Sequence, residues 1–236
     1  MQTRTVGTTM PILEISLVGG EKLTAEGDNV SWYTPGMDLE TSTRFGSGGK
    51  GGFMSGLKRA LGGGALFLTE YTAPSNGGFV AFATRMPGVI RELPIDPNDH
   101  YMVQQGSYLV STQDVEVSVG LQQKLGAGIF GGAGLIFQRL AGHGTAWVEL
   151  SGEIVEYELQ AGQSMIVHPG HLALFRDGMD LQFATVRGIK NKLFGDSMFM
   201  AQISGPGHIW LQSMTAAKLA AALEPYLPDK TNDTSN

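Results

Sequence analysis

His168 and His171 flank a Pro-Gly pair and follow Glu153, Glu156 and Glu158. These residue types could together hold a divalent metal. A mononuclear site of that kind needs convergent ligands: two histidines two apart, a glutamate a few residues on, and a further histidine in a second motif. No His-x-His occurs in the chain. His143 and His208 sit beside glycine turns, and His100 follows Pro97, Asn98 and Asp99. None has a partner at ligand spacing, so the five histidines are expected in turns and at the surface, with no metal bound.

Other chemistry is equally short of partners. Residues 46–51 (GSGGKG) and 126–131 (GAGIFG) each satisfy G-x-G-x-x-G. Dinucleotide binding needs that motif between a strand and a helix, so that the helix N-terminus faces the pyrophosphate. No helical pattern follows either stretch. Lys50 is followed by Gly51, where a phosphate loop carries Ser or Thr. Inter-strand loops and no cofactor are expected. Ser107, Ser111 and Ser164 lie in strand-like runs without a Gly-x-Ser-x-Gly elbow. Asp96 with Asp99 and Glu156 with Glu158 are carboxylate pairs, but on turns or alternating strands they solvate a face rather than share a proton. No catalytic residue is therefore expected, and the chain reads as a non-enzyme.

The glycine-rich segments have a charge bias. Residues 41–69, 117–148 and 181–195 contain no Asp or Glu, on a chain whose net charge is −6. Besides Arg139 in the second, their basic residues are Arg44, Lys50, Lys58, Arg59, Lys124, Arg187, Lys190 and Lys192, and these eight are the candidate binding set. Apolar tips such as Phe53, Leu57, Phe130 and Phe194 accompany them. Such a face suits anionic lipid, RNA phosphate or an acidic partner, or contact with a second subunit.

The elements that must position these residues repeat along the chain. Residues 165–174 (MIVHPGHLAL) align with 101–110 (YMVQQGSYLV), Gly170 on Gly106 and Gln104 on His168. A third copy, 30–40 (VSWYTPGMDLE), places Gly36 there and Thr34 beside it. Residues 135–147 (LIFQRLAGHGTAW) align with 198–210 (MFMAQISGPGHIW), matching Gly142 to Gly205, Gly144 to Gly207 and Trp147 to Trp210. Three tandem units of about 64 residues result, over 20–86, 88–150 and 152–212. Trp32, Trp147 and Trp210 are expected in the unit cores.

Period-two alternation dominates, as in residues 115–119 (VEVSV), 154–159 (IVEYEL) and 181–185 (LQFAT). The expected fold class is all-β: a pseudo-threefold antiparallel sandwich or barrel assembly, with one C-terminal helix over about 213–224. Ser213 or Thr215 caps that helix, and Leu219 and Leu223 form a face expected to pack on the β body. A single domain over 1–226 and a disordered tail over 227–236 follow.

Composition bounds the rest. Charged residues are 16%, hydrophobic residues 42%, and 34 of 236 residues are glycine. Such a chain buries a core and is no polyelectrolyte. Zero cysteines exclude disulfides, thiolate metal sites and cysteine nucleophiles. The first ten residues lack the apolar core of a secretory signal, and no apolar run is long enough to span a bilayer. A cytoplasmic protein is expected.

Residues 56–69 (GLKRALGGGALFLT), 142–148 (GHGTAWV) and 159–170 (LQAGQSMIVHPG) together resemble the altered-inheritance-of-mitochondria family, over roughly residues 12–226. The resemblance implies an all-β fold similar to the tryptophan RNA-binding attenuation protein, with three repeats per chain. It brings no catalytic residues to carry over, and the attenuator's RNA binding does not follow from a shared fold. The expectation is a self-associating β-scaffold, a homo-oligomer docking on an anionic membrane surface or protein partner through its basic loops. An RNA-binding module is the first alternative, and a cupin-like metalloenzyme using His168 and His171 the second.

Overall fold

The computed structural model describes residues 1–44, 66–123, 135–185 and 199–227. These residues are mostly strands. A leading strand β1 (Gln2–Val6) precedes a first group of six: β2 (Ile12–Leu17), β3 (Lys22–Glu26), β4 (Trp32–Tyr33), β5 (Asp38–Arg44), β6 (Leu66–Thr72) and β7 (Gly78–Ala83). The second group is β8 (Gly88–Ile95), β9 (Tyr101–Gln104), β10 (Tyr108–Thr112), β11 (Val115–Gln123), β12 (Leu135–Gly142) and β13 (Gly144–Ser151). The third is β14 (Ile154–Leu159), β15 (Ser164–Val167), β16 (Leu172–Arg176), β17 (Asp180–Thr185), β18 (Phe199–Ser204) and β19 (Gly207–Gln212). One helix, α1 (Ala216–Leu223), follows.

One set of antiparallel pairings holds in each group. The first strand pairs with the sixth and the second with the fifth. The third also pairs with the sixth, and the fourth with the fifth. Neighbouring groups join by the second strand of one against the third of the next. Leu23–Ala25 of β3 pairs with Val110–Thr112 of β10, and Tyr101–Val103 of β9 with Leu174–Arg176 of β16. Two six-stranded sheets result, β5-β6-β3-β10-β13-β8 and β11-β12-β9-β16-β19-β14, flanked by β1-β2-β7-β4 and β15-β18-β17. No helix among the described residues is long and apolar enough to cross a membrane.

The pairing places some residues differently from the sequence alignment. The first group begins at Ile12, ahead of residue 20, because β2 closes against β7 across more than 60 residues of chain. Gly36 lies between β4 and β5, one turn later than Gly106 (between β9 and β10) and Gly170 (between β15 and β16).

Three apolar clusters form the core, each drawn mainly from one group and completed by residues of a neighbour. Leu13, Ile15, Tyr71 and Phe82 anchor the first, Tyr108, Leu140 and Val148 the second, and Leu172, Phe175 and Ile203 the third. Trp147 and Trp210 are buried, at 2% and 4% exposure, whereas Trp32 is 46% exposed. The expectation of three core tryptophans therefore fails at Trp32. Its strand is two residues long, and among the described residues nothing pairs with its outer edge.

The terminal helix also departs from expectation. Thr215 caps it, its hydroxyl accepting from the Lys218 N–H at 3.1 Å, but no residue of α1 is buried. Leu219 is half-buried and Leu223 is 49% exposed. Thr215 at its N-cap is buried, but six of the eight residues of α1 are alanine or lysine, with little apolar surface to bury. Residues 228–236, most of the expected tail, lie outside the described residues.

A buried polar network crosses the first junction. The Asn29 side-chain amide donates to the Tyr108 and Leu109 carbonyls at 2.8 and 3.0 Å. The Gln138 amide, on a fully buried residue, donates to Glu26 Oε1 at 2.5 Å. Burial pushes the Glu26 carboxyl above its ordinary range, against the lowering effects of the Gln138 hydrogen bond and the Arg85 charge. A carboxyl raised in the folded state binds its proton more tightly there than in the unfolded chain. Stability therefore falls as pH rises from the ordinary carboxyl value through the raised one. Glu26→Gln keeps an acceptor for Gln138 without the buried charge. It is expected to raise the melting temperature at pH 7.5, with the gain shrinking to nothing near pH 4. A pH series of thermal melts on both proteins checks this, and an unchanged or lower melting temperature at pH 7.5 would refute it.

Candidate functional site

A surface cleft of about 420 Å³ opens where β9, β16 and β19 come together. Asn98, His100, Arg176, Asp177, Gly178, Gly207 and His208 line it. Two tight turns build its rim. In the turn before β9, the Asn98 N–H donates to Asp96 Oδ1 at 2.7 Å and the Asp99 N–H to the Asp96 carbonyl at 2.9 Å. This is the local side-chain-to-backbone bonding for which Asp favours turns. Between β16 and β17, Gly178 adopts φ +89°, a left-handed conformation suited to glycine. The Asp177 N–H donates to the His100 carbonyl at 3.0 Å, tying the two turns together.

The side chains form a charged lattice. Arg139 donates to Asp177 Oδ2 at 2.5 Å and reaches His100 Nδ1 at 2.7 Å. Because a guanidinium can only donate, His100 accepts at Nδ1 and carries its proton at Nε2 when neutral. Arg176 pairs with Asp99, and its guanidinium lies 4.8 Å from the Tyr101 ring centroid. On the other wall, His208 Nδ1 is 3.2 Å from Glu156 Oε1 and its ring stacks on Trp210 at 5.9 Å. Arg91 donates to the other Glu156 oxygen at 3.1 Å. Each arginine is matched by a carboxylate, so the cleft offers hydrogen-bonding groups of both signs without a surplus of positive charge for an anion.

His168 and His171 lie at the opposite end of the paired β16 and β19, beside Leu172 and Gln212 and against the start of α1. Their rings meet edge-on, with centroids 5.7 Å apart. His168 Nδ1 accepts from the Gly170 N–H at 3.3 Å, capping the short 3₁₀ turn Pro169–His171. Burial, and then the nearby His171 and Lys218 charges, push the His168 pKa down. His171 Nδ1 lies 2.6 Å from the Gln212 carbonyl and its Nε2 lies 2.7 Å from Lys218 Nζ. A carbonyl only accepts and an ammonium only donates, so both ring nitrogens are committed. A cation at Nε2 would also face the ammonium. These residues do not fit a metal, and Glu156, one of the carboxylates expected beside them, faces His208 instead. Among the described residues, no group of three His, Asp or Glu side chains is placed to hold a metal ion.

The structure thus converges His100 and His208, which the sequence placed separately in turns. The available signals were the Asp-rich turn before His100 and the glycine before His208. Their meeting depends on β9 and β19 both flanking β16, a non-local pairing.

Of the eight basic candidates, Arg44 is the last residue of β5, with its backbone paired to Leu66. Lys50, Lys58, Arg59, Lys124, Arg187, Lys190 and Lys192 lie outside the described residues, as do both G-x-G-x-x-G stretches. The described strands fix where these segments attach. They connect the fourth strand of each group to the fifth, following the pairs Arg44 with Leu66, Gln123 with Leu135 and Thr185 with Phe199.

The fold is similar to the crystal structure of protein SPYM3_0169 from Streptococcus pyogenes, with a TM-score of 0.75 and 20% identity. That match covers 96% of this chain and 99% of the other. The sequence is 25% identical over 225 residues to the uncharacterized protein M6_Spy0233 of Streptococcus pyogenes serotype M6, covering 94% of this chain and 89% of that protein. The family model for mitochondrial biogenesis AIM24 matches residues 3–214. With nearly the whole of the strand framework inside that match, the chain belongs to the mitochondrial biogenesis AIM24 family.

Proposed function

We propose that this chain is a non-enzymatic, cytoplasmic β-scaffold that self-associates and docks on an anionic membrane surface through its glycine-rich basic segments. One observation carries the reading. The basic candidates other than Arg44, among them Lys58, Arg59, Lys190 and Lys192, all fall in the three connections from the fourth strand to the fifth in their groups, and across residues 45–65, 124–134 and 186–198 the single acidic residue is Asp196. A net charge of −6 on the whole chain makes such a concentration of positive charge a local feature. Basic residues near an anionic leaflet contribute about 1 kcal/mol each.

The test is co-sedimentation with phosphatidylcholine vesicles containing phosphatidylserine, at low salt. Wild-type protein is expected to pellet with the vesicles. The combined variant Lys58→Ala, Arg59→Ala, Lys190→Ala and Lys192→Ala is expected to lose more than about tenfold in partitioning, on the per-residue scale above. Wild-type protein that stays in the supernatant removes the membrane reading. Steeply salt-dependent binding to single-stranded RNA in its place would favour the nucleic-acid alternative.

A further inference from the structure

We infer that β15 of one copy of this chain pairs with β4 of a second copy, so that molecules assemble head to tail. The inference rests on the self-association proposed above and names the surface responsible. Inside the chain, the second strand of a group lies against the third strand of the next, twice: β3 with β10 and β9 with β16. Each time, two three-stranded halves become one six-stranded sheet. One half of each kind is left over. The third group's β15-β18-β17 ends on its second strand, and the first group's β1-β2-β7-β4 ends on its third. Among the described residues, no pairing joins β15 to β4.

The burial of these strands matches a missing partner. Where the junction is made, its strands are buried: β10 and β16 each have four buried residues, and β3 and β9 three each. On the unmatched pair, Ile166 is 64% exposed, Trp32 46% and Tyr33 44%. The made junctions use ladders of only three residues per strand. The segment 31–34 can match that, because Ser31 and Thr34 extend the β4 ladder through N–H bonds to the Ala81 and Phe79 carbonyls.

The edges are also guarded differently. Exposed strand edges usually carry charges or proline that block pairing with another chain. β1, β5, β8, β11, β14 and β17, the other six sheet edges, each carry at least one charged residue, and β8 carries Pro94 as well. β4 and β15 carry neither a charge nor a proline. Among the described residues, only the two edges that lack a junction partner are left unguarded. A second copy supplies both partners with the chemistry the chain already uses twice. Such an interface joins two different patches, and it propagates into a ring or a filament according to its rotation.

The test uses the full chain. Ile166→Lys and Tyr33→Lys alter exposed side chains, so each variant is expected to keep the wild-type circular dichroism and, at concentrations where wild type is monomeric, its melting temperature. Native mass spectrometry is expected to show concentration-dependent oligomers for wild type and monomers for each variant alone. Mixed together, the two variants each retain one open edge, and they are expected to form a dimer that stops at two copies. The lack of native cysteines permits a second readout. Tyr33→Cys mixed with Ile166→Cys should give a disulfide-linked dimer on oxidation, and neither should do so alone. Oligomers that survive both lysine substitutions would overturn the inference and leave self-association through another surface standing. A wild-type chain that is monomeric at every concentration would overturn both. In the Tyr33→Cys/Ile166→Cys double variant, a disulfide closing within one chain would show the two edges meeting in a monomer, which also overturns it.

Discussion

Replacing Trp147 by alanine is expected to destabilise the protein by about 3–5 kcal/mol, the usual loss for a large buried aromatic. Trp147 lies on β13 of the second group, yet its side chain belongs to the first group's cluster, with Leu23, Val80 and Phe82. It is 2% exposed, and its indole N–H donates to Glu92 at 3.1 Å. Truncation would leave a void where two groups meet and an acceptor without its donor. Trp32→Ala is the matched control. At 46% exposure it is expected, at concentrations where the chain is monomeric, to change stability by no more than about 0.5 kcal/mol, as surface substitutions do. Urea unfolding of the three proteins separates these outcomes. Equal losses at both tryptophans would contradict the burial difference.

Gly142→Ala is the second large effect. Gly142 has φ +95°, and a Cβ there would sit 2.4 Å from the Asp114 carbonyl oxygen. Backbone on both sides would have to move, in the hairpin joining β12 to β13. Gly162 has a similar φ of +83°, but a Cβ there would meet nothing within 4 Å. Gly162→Ala therefore isolates the conformational cost alone, about 1–2 kcal/mol for a left-handed alanine. Gly142→Ala adds the steric overlap and is expected to exceed about 3 kcal/mol, in the range of overpacking plus strain. If the two variants melt together, the close approach to Asp114 is not a real constraint.

The glycine turns that set these costs were visible in the sequence, because the need for positive φ is local and only glycine meets it freely. Gly142 and Gly144 stand in register with Gly205 and Gly207, and both sets do connect hairpins, β12 to β13 and β18 to β19. Period-two alternation likewise found β11, where Val115 and Val117 are buried and Glu116 is exposed. In β14 the same alternation misled. Val155 and Tyr157 are 49% and 42% exposed beside exposed Glu156 and Glu158, because this edge strand lacks cover on both faces. The capping residue of α1 was also legible, since Thr215 bonds three residues along the chain. Whether the helix then packs was not, because that depends on what surface the β body presents to it.

The candidate cleft shows the same division. Asp96 and Gly178 announce tight turns from their residue types alone. That these turns would bring His100, Asp177 and His208 together follows only from the order β9-β16-β19, which joins residues up to 108 positions apart. The sequence by itself determined the all-β class, the hairpin turns and the helix cap, because backbone conformation answers to residue type and to neighbours a few positions away. Only the tertiary structure decided which tryptophans are buried, which charges meet in the cleft, and which two strands lack the junction partner that their counterparts in the other groups have. Those outcomes depend on lateral pairing between distant strands, and strands with similar alternation are interchangeable until the whole sheet assigns each its neighbours.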